Sequence, residues 1–243
     1  MKRLLLTITF DGTDYHGWQV QPNGITVQEV MNNSLNKLLG VKTDVTGCSR
    51  TDAGVHARKF FCHIDCDDSI PESAFLKGLN SILPNDISVI AVKRVPDDFH
   101  ARYNALGKRY IYGMYTGVKN PFDERYFLHL DTLPDIRKMN AFAKTLNGTH
   151  DFYAFSASGR TVEDTVRTVS KCSVAKKGNK IYLSVSAGGF LYNMVRIIAG
   201  TALYVGYGKI DVNIAKVAFR EKDRSVLGDT LKPHGLFLDE VFY

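Results

Sequence analysis

The chain is poor in cysteine, in tryptophan and in long apolar runs, and each shortage removes a class of protein. Its four cysteines, Cys48, Cys62, Cys66 and Cys172, form no CxxC pair. Although His56 and His63 flank them, no histidine stands at metal-ligand spacing, so the expectation is reduced, structural thiols and no metal. Leu4-Leu5-Leu6 gives way at once to Thr7 and Asp11, and no stretch approaches the roughly 20 apolar residues of a membrane helix. No secretory leader and no membrane are therefore expected, and a cytoplasmic protein is. No low-complexity segment and no clear internal repeat occurs.

What is present is charge, unevenly placed. The 243 residues carry a net charge of +6, with 10 basic against 12 acidic residues in 1–100 and 21 against 13 in 101–243. A regional basic excess points to a polyanionic partner, with a merely solvated surface as the plainer alternative.

Lys2 to Phe10 alternates as a strand. Thr26 with Glu29 three residues on is a capping box, and Val27, Val30, Met31, Leu35, Leu38 and Leu39 mark one face of a helix stopped at Gly40. Strand character returns at Thr43–Thr46 and Arg58–Asp65, Ile70-Pro71-Glu72 opens a second helix through Phe75, Leu79 and Ile82 that Pro84-Asn85 closes, and Ile87–Val95 is again a strand. The order β-α-β-β-α-β is ferredoxin-like, with helices on one sheet face. Past Pro96-Asp97-Asp98 the pattern begins anew, so a domain boundary is expected near residue 105. A helix over Asp135–Asn147, a hairpin of Thr165–Ala175 with Lys180–Ala187, and a buried helix over Phe190–Tyr207 follow. Asp211 starts a short helix, and Arg220, Lys222 and Arg224 form a basic cluster after it.

Between two strands lies Gly47-Cys48-Ser49-Arg50-Thr51-Asp52-Ala53-Gly54-Val55-His56-Ala57. One reading makes Asp52 a turn residue ahead of Gly54 with Arg50 as its surface partner. The other makes the loop a site, since rigid strands presenting polar residues are the usual carriers of catalytic groups. Thr13 to Gln19, rich in Tyr, His, Trp and Gln, is either a core cap at Trp18 or a surface that stacks on nucleotides. Phe99-His100-Ala101-Arg102 and Lys108-Arg109-Tyr110-Ile111-Tyr112 set bases beside aromatics, as stacking on bases and pairing with phosphates would need. Lys176 and Lys177, at the hairpin tip, are phosphate contacts or an ordinary solvated edge. Arg196 sits within an apolar helix, where an unpaired charge would cost roughly 3–5 kcal/mol, so a carboxylate from elsewhere in the fold is expected.

Arg50 to Ala57 resembles the nucleophile motif of the tRNA pseudouridine synthases that modify uridines 38 to 40 of the anticodon arm. The resemblance extends to Phe10-Asp11-Gly12 with Gly17-Trp18-Gln19, to Phe99-x-Ala101-Arg102 with the basic pair before Tyr110-x-Tyr112, to Thr149–Phe155, to Phe190-Leu191-Tyr192-x-Met194-Val195-Arg196, and to Pro233–Leu238. One departure is Ser49, where relatives commonly have glycine. The resemblance implies an α+β protein of two ferredoxin-like halves, 1–105 and 106–243, their antiparallel sheets joined into one extended sheet with an active-site cleft between them. It implies Asp52 as catalytic residue, with Tyr110, Arg50, Arg196 and His56 binding substrate and Lys108, Arg109, Lys176 and Lys177 contacting RNA. The partner of Arg196 would be Asp52, with Asp164 as a structural alternative. A homodimer acting on tRNA without cofactor or metal is implied too.

Breaking a base–ribose bond calls for a carboxylate near C1′, and uracil leaves as a delocalised anion, so one carboxylate can suffice. The residues are compatible with attack by Asp52 on the sugar, attack on the base, and removal of a ribose proton. A non-catalytic RNA-binding protein with paired sheets would share the basic second half but gives no reason for Arg196. A metal-dependent nuclease would want clustered carboxylates, and only Asp52 stands in the central loop.

Overall fold

The computed structural model describes residues 1–159 and 162–243. The chain divides into two compact units, one of residues 1–106 and 237–243, the other of residues 107–236.

The first unit runs β1 (Lys2–Phe10), α1 (Val27–Leu39), β2 (Thr46–Gly47), β3 (His56–Cys66), α2 (Glu72–Ile82) and β4 (Ile87–Val95). This is the β-α-β-β-α-β order, and β4-β1-β3 pair antiparallel with short β2 on β3. Local chemistry sets the helix ends. Thr26 accepts from the Glu29 N–H, and Gly40 closes α1 at φ 71, a left-handed conformation that costs glycine little. On β1, Leu4, Leu6 and Ile8 pair with Ile64, Cys62 and Phe60. All six are essentially inaccessible, as are Met31 and Leu35 of α1 and Phe75 and Leu79 of α2, which make the core with them.

The opposite sheet face carries Arg3, Leu5 and Thr7 against Asp65, His63 and Phe61. Residues 96–106 fold across it: Arg3 Nη1 donates to the Phe99 carbonyl at 2.9 Å, and the Ala101 N–H donates to His63 Nδ1 at 3.1 Å. Burial, with Arg3 and His100 adding to it, pushes the His63 pKa down to about 4 from 6.5. Between those values the unfolded chain binds a proton that the folded chain refuses, so stability falls as pH drops from 6.5 toward 4. His63→Gln is expected to flatten the decline of Tm between pH 7 and pH 5, and an equal decline in both proteins would contradict it.

The second unit contains β5 (Gly107–Thr116), α3 (Pro121–Glu124), β6 (Leu128–Leu130), α4 (Ile136–Thr145), β7 (Gly148–Asp151), β8 (Val166–Lys177), β9 (Lys180–Ala187), α5 (Met194–Gly206) and α6 (Ile214–Glu221). Its strands lie in the order β5-β9-β8-β7, all antiparallel, with β6 parallel to β5. The strand–helix–strand–strand–helix series β5, α4, β8, β9, α5 repeats the plan of the first unit. α4 is capped by Asp135, whose Oδ1 accepts from the Arg137 and Lys138 N–H groups. α5 begins at Met194 rather than Phe190, because Asn193 takes a left-handed conformation at φ 59. Likewise α6 begins at Ile214, three residues past Asp211. The last strand, β10 (Leu236–Phe242), runs parallel to β3 through Phe237↔His56 and Leu238↔Ala57. The fold is thus mixed α/β with mostly antiparallel pairing. The four cysteines are free and buried.

Candidate active site

Asp52 lies in the connection between β2 and β3, where its carbonyl accepts from the Val55 N–H at 3.2 Å in a turn closed by Gly54 at φ 75. Its side chain is half-buried, that of Arg50 is exposed, and Thr51, Val55 and His56 are buried. Such a turn stays put only if something grips it. Here the grip comes from residues 11–18, entirely through main-chain atoms on one side of each bond. The Trp18 N–H donates to the Thr51 carbonyl at 3.2 Å, the Gly54 N–H to the Tyr15 carbonyl at 3.1 Å, and the Gly12 N–H to His56 Nδ1 at 3.0 Å.

Close approach requires glycine on the gripping strand of chain. A β-carbon at Gly12 would stand 2.0 Å from the Val55 carbonyl oxygen, and one at Gly17 would stand 2.3 Å from that of Thr51. The grip is itself anchored. Tyr15 is buried and its hydroxyl donates to Asp86 at 2.7 Å, while the Asp11 N–H donates to the Asp86 carbonyl. Trp18 is 3% exposed and stacks on Phe60 at 4.1 Å. It caps the core, and the nucleotide-stacking alternative for this ring is ruled out by its burial.

His56 is 1% exposed, stacked on Phe237 at 4.7 Å, and Asp11 Oδ1 stands 3.0 Å from its Nδ1. Its ring supports the loop by accepting from the Gly12 N–H while stacked on Phe237. Thr51 Oγ1 is, among the described residues, the buried side-chain oxygen or nitrogen without a hydrogen-bond partner. Leaving a hydroxyl buried and unsatisfied costs about 1–3 kcal/mol. Thr51→Val keeps the shape and removes that cost, so Tm is expected to rise by about 2–12 °C. A fall in Tm on scanning calorimetry would show that the hydroxyl is satisfied in solution.

In the second unit Tyr110 is 6% exposed and meets Phe190 edge-on at 5.0 Å, and Tyr112, two residues along, is fully buried with its hydroxyl donating to the Lys232 carbonyl. Arg196 is half-buried on α5, Nε donating to the Leu231 carbonyl and Nη1 to Asn193 Oδ1, each at 2.6 Å. Asp164, the alternative partner weighed for it, is an exposed side chain 3.8 Å from Arg167.

The expected RNA contacts are not brought together. Lys108 and Arg109 open β5 opposite Ala187 and Ser186, whereas Lys177 pairs with Lys180, which faces Tyr115 at the far end of the same strand. Seven strand residues, about 23 Å, separate the two groups. The basic cluster at the end of α6 is partly paired at the surface: Lys222 pairs with Asp151 at 2.7 Å and Arg220 with its neighbour Glu221 at 2.6 Å. Among the described residues no group of His, Cys, Asp and Glu could hold a metal ion, and no helix is long and apolar enough to cross a membrane.

Sequence reading missed the roles of Gly12, Tyr15, Asp86 and Thr51. The spacing of Gly12 and Gly17 around a polar-aromatic segment was the signal available for the grip, and nothing in the pattern pointed to Asp86.

The sequence profile of a family described as tRNA pseudouridine synthase matches residues 6–104 and 142–243. A protein of Ruminiclostridium cellulolyticum named tRNA pseudouridine synthase A is 43% identical over 245 residues, covering 100% of both chains. One of the same name from Thermoanaerobacter sp. is 42% identical over 244 residues, again covering 100% of both. Among solved structures, an archaeal box H/ACA sRNP Nop10–Cbf5 complex is similar over 82% of this chain and 44% of that one, at 13% identity and a TM-score of 0.34. With that profile matched over most of the chain, and full-length relatives at this identity, the chain belongs to the tRNA pseudouridine synthase family.

Proposed function

We propose that this isomerase converts uridine to pseudouridine at positions 38, 39 and 40 of the tRNA anticodon arm, with Asp52 as the catalytic carboxylate. The observation that carries the reading is the gripped turn, which holds a half-exposed Asp52 on main chain fixed by three hydrogen bonds from residues 11–18.

The reaction breaks the bond from C1′ to N1 of uracil and forms one from C1′ to C5. N1 gains a proton and C5 loses one to solvent, so the product is an isomer of the substrate. A carboxylate beside C1′ or beside the base lowers the barrier to separating them, and uracil carries the electron pair away as a delocalised anion. Tyr110 is the residue we assign to the face of the base and to the C5 proton. The target must first leave the stack, at a cost of a few kcal/mol, and exposed Arg50, two residues from Asp52, is assigned to the space it vacates. His56 and Arg196 complete the substrate-binding set, His56 through the loop it supports. Lys108, Arg109, Lys176 and Lys177 are assigned to phosphates; their separation of about 23 Å along β5 suits an extended duplex better than a single phosphate pocket. The reading includes a homodimer in the cytoplasm.

Release of tritium from tRNA containing C5-labelled uridine, with and without EDTA, tests it. Release unaffected by chelation supports the reading. Binding without release favours a non-catalytic RNA-binding protein, and strand scission abolished by EDTA favours a nuclease.

A further inference from the structure

The segment after β4 builds a surface that the catalytic loop does not use. Residues 100–104 form a turn closed from both directions: the Asn104 N–H donates to the His100 carbonyl at 3.0 Å, and the His100 N–H donates to Asn104 Oδ1 at 2.6 Å. Inside the turn His100 Nδ1 faces the N–H groups of Arg102 at 3.1 Å and Tyr103 at 3.3 Å. The segment is tied to the sheet by Ala101, whose N–H is held by His63 and whose carbonyl accepts from the Tyr243 hydroxyl at 2.7 Å.

Three rings rise from this base. His63, buried, meets His100 edge-on at 4.9 Å, and His100 lies against Tyr103 at 4.2 Å and 31°. Tyr103 ends the series 77% exposed. A single exposed apolar residue is ordinary. This ring differs because one face rests on His100 and the Arg102 guanidinium lies over the ring, in a turn already ordered, so contact between the exposed ring and a flat partner orders little more of the chain. Beside it Arg102 is exposed, its Cζ 6.0 Å from the Tyr103 centroid, and among the described residues it makes no ion pair. Asp97 and Asp98, upstream in the same segment, act on Arg3.

We propose that Tyr103 is a stacking platform for an unpaired base of the RNA, with Arg102 meeting an adjacent phosphate. The inference rests on the reading that the chain acts on tRNA, but not on the role given to Asp52. RNA suits the patch better than a second protein copy because an exposed guanidinium beside an exposed aromatic ring matches a base and its phosphate together.

Binding of an unmodified tRNA transcript by wild type, Tyr103→Ala, Tyr103→Phe and Arg102→Gln, at several salt concentrations, tests it. Loss of one base stack of about 1–3 kcal/mol means that Tyr103→Ala weakens affinity by roughly 5- to 150-fold. Tyr103→Phe should bind within about twofold of wild type, since the π-face and not the hydroxyl stacks. Arg102→Gln should flatten the dependence of log K on log salt by about one unit. Thermal midpoints of all three should match wild type, which separates lost contact from lost fold. Wild-type affinity in Tyr103→Ala overturns the proposal. So does equal loss in Tyr103→Phe, or a change of sedimenting mass with RNA affinity intact, which would assign the patch to a second copy of the chain. Failure of wild type itself to bind tRNA overturns the functional reading along with this one, and is distinguishable from the other outcomes for that reason.

Discussion

Asp52→Asn is expected to lower pseudouridine formation by roughly a hundredfold or more while tRNA affinity changes by no more than a few fold. The substitution keeps the size of the side chain and the turn that carries it, because the hydrogen bond that closes the turn uses the Asp52 carbonyl and not its carboxylate. What is lost is the negative charge and the nucleophilic or basic oxygen, both needed only when the base and the ribose part. Binding, by contrast, rests on many phosphate contacts distributed over the surface, so removing one carboxylate leaves it nearly intact. Single-turnover kinetics together with filter binding read the two effects separately. Turnover above a hundredth of wild type would remove Asp52 from the catalytic role.

Gly17→Ala should produce the second large loss, and by a different route. Gly17 sits at φ 84, where an L side chain is strained by about 1–2 kcal/mol. Its added β-carbon would also stand 2.3 Å from the Thr51 carbonyl oxygen and 3.1 Å from the Asp52 carbonyl carbon. Both neighbours are main chain, so the turn itself must move. A shift of about 1 Å in a catalytic group can cost roughly a hundredfold in rate, and the bond from Trp18 N–H to Thr51 is lost with it. Gly40→Ala is the matched comparison: φ is 71 there, with nothing within 4 Å of the added carbon. That variant should lose only the stability that left-handed backbone costs alanine, and should keep wild-type turnover. Equal turnover in the two variants would show that the grip on the loop does not position Asp52.

Much of this fold was readable where side chains alone set the geometry. The Thr26 and Glu29 capping pattern, the Gly40 stop and the alternation of β1 each act within one element, and the structure follows them. The turn of the 166–187 hairpin falls at Gly178 at φ 61, between the two strands that alternation marks. What escaped the sequence depends on contacts between distant segments. The start of α5 turns on the left-handed Asn193, which no hydrophobic period reveals. β10 falls with the first unit although it is 170 residues beyond β3 in sequence, because its pairing is made by main-chain groups common to all residues. The same holds for the site. The titratable residues of the Arg50–His56 loop were visible, but the segment that grips it works through N–H and carbonyl groups, and its glycines are recognisable only once their neighbours are known. The Lys222–Asp151 pair, likewise, joins residues 71 positions apart that no local pattern connects.

The most direct measurement is tritium release from tRNA transcripts in which the C5-labelled uridine stands at a single position, compared for wild type and Asp52→Asn. Wild type is expected to release tritium from uridine 38, 39 or 40 and none from uridines elsewhere in the same tRNA, and Asp52→Asn almost none from any position. Release from other positions, or release that survives the loss of the Asp52 carboxylate, would contradict it.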